Sequence, residues 1–222
     1  MTGKSVFEII GPAMVGPSSS HTAGALRIGR AARMVLGENP ARAEIVLYGS
    51  FAKTYRGHGT DRALAAGLLG MNTDDERIRD ALAVAFREGL VIMFKTELLS
   101  AVHPNTAAIA LTGVSGRSIF VEGSSVGGGN IVISRINQFF VNIRGVYPTL
   151  MAEHRDRPGV IGKVTTVLGQ RGINITSMNV AREQKGVDKL MVIETDEAVT
   201  EDIQEQVAAV PDVIGIIKID SL

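Results

Sequence analysis

Four hydroxyl side chains and one imidazole fill five consecutive positions, Ser18-Ser19-Ser20-His21-Thr22. Pro17 fixes its own φ and biases Gly16 away from the helical region, and a helical pattern follows from Ala23. The hydroxyls therefore stand where a helix begins, and free N–H groups and the positive dipole end there favour an anion such as a carboxylate. A helix cap needs only one of these hydroxyls. The surplus, beside a titratable ring, suits a loop that grips a small polar ligand. A second histidine lies in Gly57-His58-Gly59-Thr60-Asp61, where Thr60 or Asp61 can cap the next helix and the glycines free the backbone around the ring. His58 reads either as a surface turn residue or as the second member of a site shared with His21. The segment lacks the third glycine and the preceding strand of a dinucleotide fingerprint. No Gly-x-Ser-x-Gly elbow accompanies Ser20 and His21, which argues against a serine hydrolase.

These loops need elements to hold them. Residues 25–36 carry Ala25, Ile28, Ala32 and Val35 at helical spacing. Ala23, Gly24, Gly29 and Ala31 would admit a close neighbour, and Arg27, Arg30 and Arg33 read as a solvated face. A strand is expected over 44–48, short helical patterns over 51–55 and 62–69, and a long helix over 73–88 with Ile78, Ala81, Leu82, Ala85 and Phe86 on one face. Residues 90–94 read as a buried strand. His103-Pro104-Asn105-Thr106 reads as a turn before the strand 107–112, in which His103 could simply bond the backbone. A hairpin leads to the strand 117–122. The glycine-rich stretch 123–130 reads as a wide hairpin turn, or alternatively as a flexible wall over a ligand, before the strand 131–136. A further strand is expected over 139–143.

The rhythm changes after the linker 144–146. A strand over 147–154, a helix with Val160, Ile161, Val164, Val167 and Leu168 on one face, a strand over 173–181, a turn at 184–186 and a strand over 189–194 follow in order. A helix over 200–209 with Ile203 and Val207 inward and a strand over 213–219 complete βαββαβ, the ferredoxin-like order. The expected architecture is thus α/β (α+β): a mixed α/β domain over 1–144 and a ferredoxin-like domain over 147–222.

The chain has 222 residues with 23 basic and 23 acidic side chains, and this balance argues against nucleic acid as the main partner. No apolar run approaches the roughly 20 residues of a membrane helix, and no signal-peptide core is present, so the chain reads as cytoplasmic. With no cysteine it can form no disulfide and offers no thiolate to zinc or to an iron–sulfur cluster. Its four histidines lie far apart, without local metal-ligand spacing, and no metal site is expected on this chain.

The C-terminal segment resembles the ACT domain, a small-molecule-sensing module, through His154-Arg155-Asp156-Arg157-Pro158-Gly159-Val160 and Gly172-Ile173-Asn174-Ile175. It is most similar to the ACT domain of phosphoglycerate dehydrogenases. That resemblance implies effector binding by His154, Asp156 and Asn174, with Asp156 standing where that family has Asn. The N-terminal segment resembles the beta chain of two-chain bacterial iron–sulfur L-serine dehydratases. The motifs around Ser18–Thr22, His58 and His103-Pro104-Asn105, together with Gly127-Gly128-Gly129, occur there in this order, and the resemblance covers essentially the whole length. It implies an ASB-like substrate-binding domain and a lyase, L-serine ammonia-lyase, that converts L-serine to pyruvate and ammonia. It also implies a [4Fe–4S] cluster held by a partner alpha chain, whose open iron would act as Lewis acid on the substrate hydroxyl. Under this resemblance His21 is expected to be the base at Cα or to position it, and His58 to be the second acid/base group. Ser18, Ser19, Ser20 and Thr22 would hold the substrate carboxylate, and Thr60, Asp61, His103 and Asn105 would complete the substrate-binding set. Homo-oligomer contacts through the ACT domain are expected as well, because a lone four-stranded unit exposes a sheet face and edges. The alternative is a non-catalytic module that senses amino acids or anions.

Overall fold

A computed structural model describes residues 13–97, 103–182 and 188–222. The expected turn at 184–186 lies outside them. The chain divides into two compact units, 1–134 and 135–222, and the division falls inside a strand. The boundary expected from sequence, 144–147, falls between two strands further on.

In the first unit a π-helical turn, Ser19–Gly24, runs directly into α1, Ala25–Leu36. Ser18 caps it, its Oγ accepting from the backbone N–H of His21. The apolar stripe of α1 is buried as its spacing requires. The small residues meet α3, Thr60–Leu68, backbone to backbone: a Cβ on Gly67 would stand 2.1 Å from the Leu26 carbonyl oxygen. The arginines of α1 do not form a purely solvated face. Arg27 donates to the carbonyl of Gly129, Arg33 to that of Leu68, and Arg30 to Asn72, so the helix ties down its surroundings.

Strand β1, Pro40–Tyr48, leads into α2, Gly49–His58, and only Gly59, at φ 69°, separates α2 from α3. The long helix expected over 73–88 is instead a 3₁₀ turn, Glu76–Asp80, followed by a short α4, Ala81–Arg87. Asp75 caps the turn through the Arg77 N–H and resets the phase of the stripe. Ile78, Ala81 and Ala85 are buried, while Leu82 and Phe86 face outward, Phe86 at 83% exposure.

Strands β2 (Val91–Glu97), β3 (Thr106–Gly113), β4 (Ser118–Gly127), β5 (Asn130–Ile136) and β6 (Phe139–Ile143) join β1 in one sheet of order β2-β1-β3-β4-β5-β6. β2 is an edge strand parallel to β1, and its outer position explains why it is not the buried strand expected over 90–94. The wide glycine turn expected over 123–130 contracts to Gly128-Gly129. Both residues have positive φ, which a type I′ two-residue hairpin link requires, and β4 extends through Gly127. Ser124 and Ser125 are consequently strand residues.

The second unit contains β7 (Thr149–Arg155), α5 (Val160–Gln170), β8 (Ile175–Arg182), β9 (Asp188–Thr195), α6 (Glu201–Ala208) and β10 (Val213–Ile219). The sheet order β10-β7-β9-β8 is that of the ferredoxin-like βαββαβ unit. Val160, Val164 and Leu168 of α5 and Ile203 and Val207 of α6 pack on Leu150, Ala152, Met191 and Ile193, while Ile161 points outward.

Candidate active site

The π-turn brings its hydroxyls onto its own histidine. His21 Nδ1 lies 3.1 Å from Ser20 Oγ and 3.3 Å from Ser18 Oγ. On the other edge of the ring, Nε2 lies 3.0 Å from Ser50 Oγ, at the start of α2. Three hydroxyls thus clamp one imidazole. The two ends of α2 close the site: Ser50 bonds His21, and His58 stacks edge-to-face on it with ring centroids 4.7 Å apart. Phe51 supplies a further edge contact at 5.4 Å. Thr22 Oγ1 donates to the His58 carbonyl and fixes the second histidine to the turn that carries the first.

Burial, and then the charge of His58, hold the His21 imidazole below its ordinary pKa. A charge on the neighbouring His58 ring thus disfavours the imidazolium of His21. The rings differ in commitment. Both nitrogens of His21 are engaged, whereas Nδ1 of His58 is buried without a hydrogen-bond partner among the described residues.

The turn at His103-Pro104-Asn105 supports this arrangement from behind. The Pro104 carbonyl accepts from the N–H groups of Ser50 and Phe51 and so caps α2. Gly49, at φ 54°, is required there, because a Cβ would stand 2.7 Å from the Pro104 Cα. The His103 ring accepts from the Asn105 N–H, as the backbone-bonding reading of that turn anticipates. The Asn105 carbonyl accepts from the Ser125 N–H, and Ser125 Oγ faces Gly24 so closely that a Cβ there would lie 2.1 Å from it. Asn105 Oδ1, Ser125 Oγ and Thr60 Oγ1 are buried without partners among the described residues. Such atoms are costly unless a ligand or water satisfies them.

The structure thus joins His21, His58, Ser18, Ser20 and Thr22 directly. Ser18 and Ser20 turn to the His21 ring, where the sequence reading gave them to a substrate carboxylate. Ser19 has no side-chain partner among the described residues. Asp61 accepts from the N–H of Arg62. Ser50, Phe51 and Ser125 escape the sequence reading. The one local cue is Gly49-Ser50 at the carboxyl end of β1, where α/β sheets commonly place ligand-facing residues. A cavity of about 340 Å³ opens beside the pair, its wall including Gly16, Pro17, Thr22, His58, Arg62 and Arg79.

In the second unit, His154 is buried, with Nδ1 bonded to the Arg155 carbonyl and Nε2 without a partner among the described residues. Asp156 pairs with Lys189, and Asn174 donates to Asp196. His154 pairs across the sheet with Lys189, whereas Ile175, next to Asn174, pairs with Thr195. Six residues of β9 separate those levels, or about 20 Å of strand. The three residues do not come together within one chain.

Comparison with known proteins agrees with this layout. The family model for the serine dehydratase beta chain matches residues 5–81, and that for the ACT domain matches residues 149–212. The chain is 45% identical over 219 residues to the probable L-serine dehydratase beta chain of Bacillus subtilis (strain 168), covering 99% of both. The chain belongs to the serine dehydratase beta-chain family. Another member, the L-serine dehydratase beta chain of Peptoniphilus asaccharolyticus, is 40% identical over 211 residues, covering 95% of both chains. Similarity extends outside the family to D-3-phosphoglycerate dehydrogenase of Bacillus subtilis (strain 168), 30% identical over 164 residues, which are 72% of this chain and 30% of that enzyme. The beta-chain family carries an ACT domain here, as the ferredoxin-like unit anticipates. Among the described residues no helix is long and apolar enough to cross a membrane.

Proposed function

We propose that this chain is the beta subunit of an L-serine dehydratase, a lyase that releases pyruvate and ammonia from L-serine together with an alpha chain. The observation that carries the reading is the contact of two imidazoles at 4.7 Å, one clamped by three hydroxyls and one with a buried, uncommitted nitrogen. Removal of a weakly acidic Cα proton calls for such a base, with a pKa near working pH. The His58 ring lines the cavity with Nδ1 free of partners among the described residues, so it can take up the Cα proton. His58 lines the cavity and is the ring placed at the substrate. His21, clamped by three hydroxyls, packs against it and positions it. Ser19, Thr22, Thr60, Asp61 and Asn105 remain as the polar groups that orient the substrate.

This chain does not fit an iron–sulfur cluster. It has no cysteine, and no group of three or more His, Asp or Glu among the described residues could hold a metal ion. The cluster expected for the family is accordingly assigned to the alpha chain, and no step here passes through it. The ACT unit is the regulatory part. Because His154 and Asn174 sit at opposite ends of one sheet, an effector that contacts both requires two copies of this domain side by side.

The test is to combine this chain with a cysteine-bearing alpha chain and to follow pyruvate formed from L-serine. Turnover that requires both chains, and that is lost in His58→Asn, supports the reading. Full turnover in both His21→Asn and His58→Asn, with loss of a response to an added amino acid, establishes a sensing module instead.

A further inference from the structure

The hydroxyl cluster is largely spent on His21. Ser18 and Ser20 bond its ring and Thr22 bonds the His58 carbonyl, so the carboxylate of an amino acid must find its main counter-charge elsewhere. The cavity that His58 lines contains two guanidinium groups, Arg62 from α3 and Arg79 from the 3₁₀ turn. Neither has an ion pair or a side-chain hydrogen bond among the described residues. Asp75 forms a fork with Arg77, and Asp61 accepts from the backbone N–H of Arg62. Other arginines of this unit are tied down, Arg27 to Gly129, Arg30 to Asn72 and Arg33 to Leu68 and Asn39. Two cations without side-chain partners among the described residues thus stand on one cavity wall that also includes the buried Ile78.

We propose that Arg62 and Arg79 bind the α-carboxylate of the substrate and determine that the enzyme accepts an amino acid and rejects its neutral amide. This inference rests on the functional reading above. Guanidinium groups recognise a carboxylate through paired N–H donors, which lysine does not reproduce. Their role grows as reaction proceeds. When the Cα proton leaves, the electron pair delocalises into the carboxylate, and the adjacent cations stabilise the added charge. His58, on the same wall, is then beside Cα while the arginines hold the other end of the molecule.

The experiment uses the complex of this chain with its cluster-bearing partner. Arg62→Gln and Arg79→Gln are compared with wild type on L-serine and on L-serinamide, with Arg62→Lys and Arg79→Lys as charge-retaining variants. Each Gln substitution is expected to raise KM for L-serine about tenfold or more, the loss of one charged hydrogen-bond pair. The preference for L-serine over L-serinamide should fall by a similar factor, with melting temperature unchanged. The Lys variants should lie between, which a purely structural role would not produce. A wild-type complex that turns over serine while both Gln variants keep its KM and its preference overturns the inference alone. A wild-type complex inert toward serine overturns the functional reading on which it stands.

Discussion

The two units of this chain place their candidate polar groups differently. In the first, the side chains of His21, Ser50 and His58 converge, and polar side-chain atoms of His58, Asn105 and Ser125 are buried without partners among the described residues. In the second, the polar residues that the ACT resemblance picks out are spread along a regular sheet, and two of the three already hold ion or hydrogen-bond partners, Lys189 and Asp196. Unsatisfied buried groups cost stability and persist where function retains them. Under the proposed function, a substrate would satisfy those atoms of the first unit. Under the same reading, an effector bound by both His154 and Asn174 would need another copy of the second unit.

The sharpest way to break this contrast is to remove a histidine of the first unit. His58→Asn is expected to lower kcat/KM for L-serine about 1,000-fold, the usual weight of a general acid–base group. His154→Asn, in the second unit, should leave basal kcat/KM unchanged. Steady-state pyruvate assays on both variants decide it, and equal losses in the two would erase the contrast. Next in size is Ser50→Ala. It deletes the hydroxyl that holds His21 Nε2, worth about 1–1.5 kcal/mol, and should lower kcat/KM about tenfold with little change in melting temperature.

A pH titration tests the electrostatics without turnover. Burial and His58 both disfavour the imidazolium of His21, so its ring must remain neutral to a pH below the ordinary 6.5. Ring-proton NMR of the chain should show that low midpoint. In His58→Gln the Coulombic part disappears and the midpoint should rise. It should stay below 6.5, because burial is the larger cause. A midpoint that does not move would separate the two rings electrically.

The reach of the sequence differs between kinds of feature. The apolar stripe of α1 and the alternation of the βαββαβ strands are local patterns, and both appear in the fold nearly where periodicity sets them. The stripe over 73–88 misleads because five apolar residues at helical spacing do not reveal a 3₁₀ turn capped by Asp75, and Phe86 ends in solvent. The hydroxyl run is legible as a site, but its use is not. Whether Ser18 and Ser20 face a ligand or His21 depends on Ser50, 29 residues beyond His21 and supplied by another helix. Likewise, the closeness of Gly24 and Ser125 is a tertiary fact, invisible in either neighbourhood.

The smallest expected effect on basal rate is also the most specific test of the second unit. His154 lies at the Lys189 level of the sheet and Asn174 next to the Thr195 level, so no small amino acid can touch both within one chain. His154→Ala and Asn174→Ala should each abolish the response to an added amino acid effector while leaving turnover in its absence unchanged. Mixing the two variants gives the deciding arm. In a side-by-side pair of copies, the His154→Ala chain contributes an intact Asn174, and the Asn174→Ala chain an intact His154. Every mixed pair then carries one whole shared site, and about half of all pairs should be mixed if the copies assort at random. Effector binding measured by calorimetry should return in the mixture though absent from either variant alone. A mixture that stays silent would place both residues in separate sites, each served by a single chain.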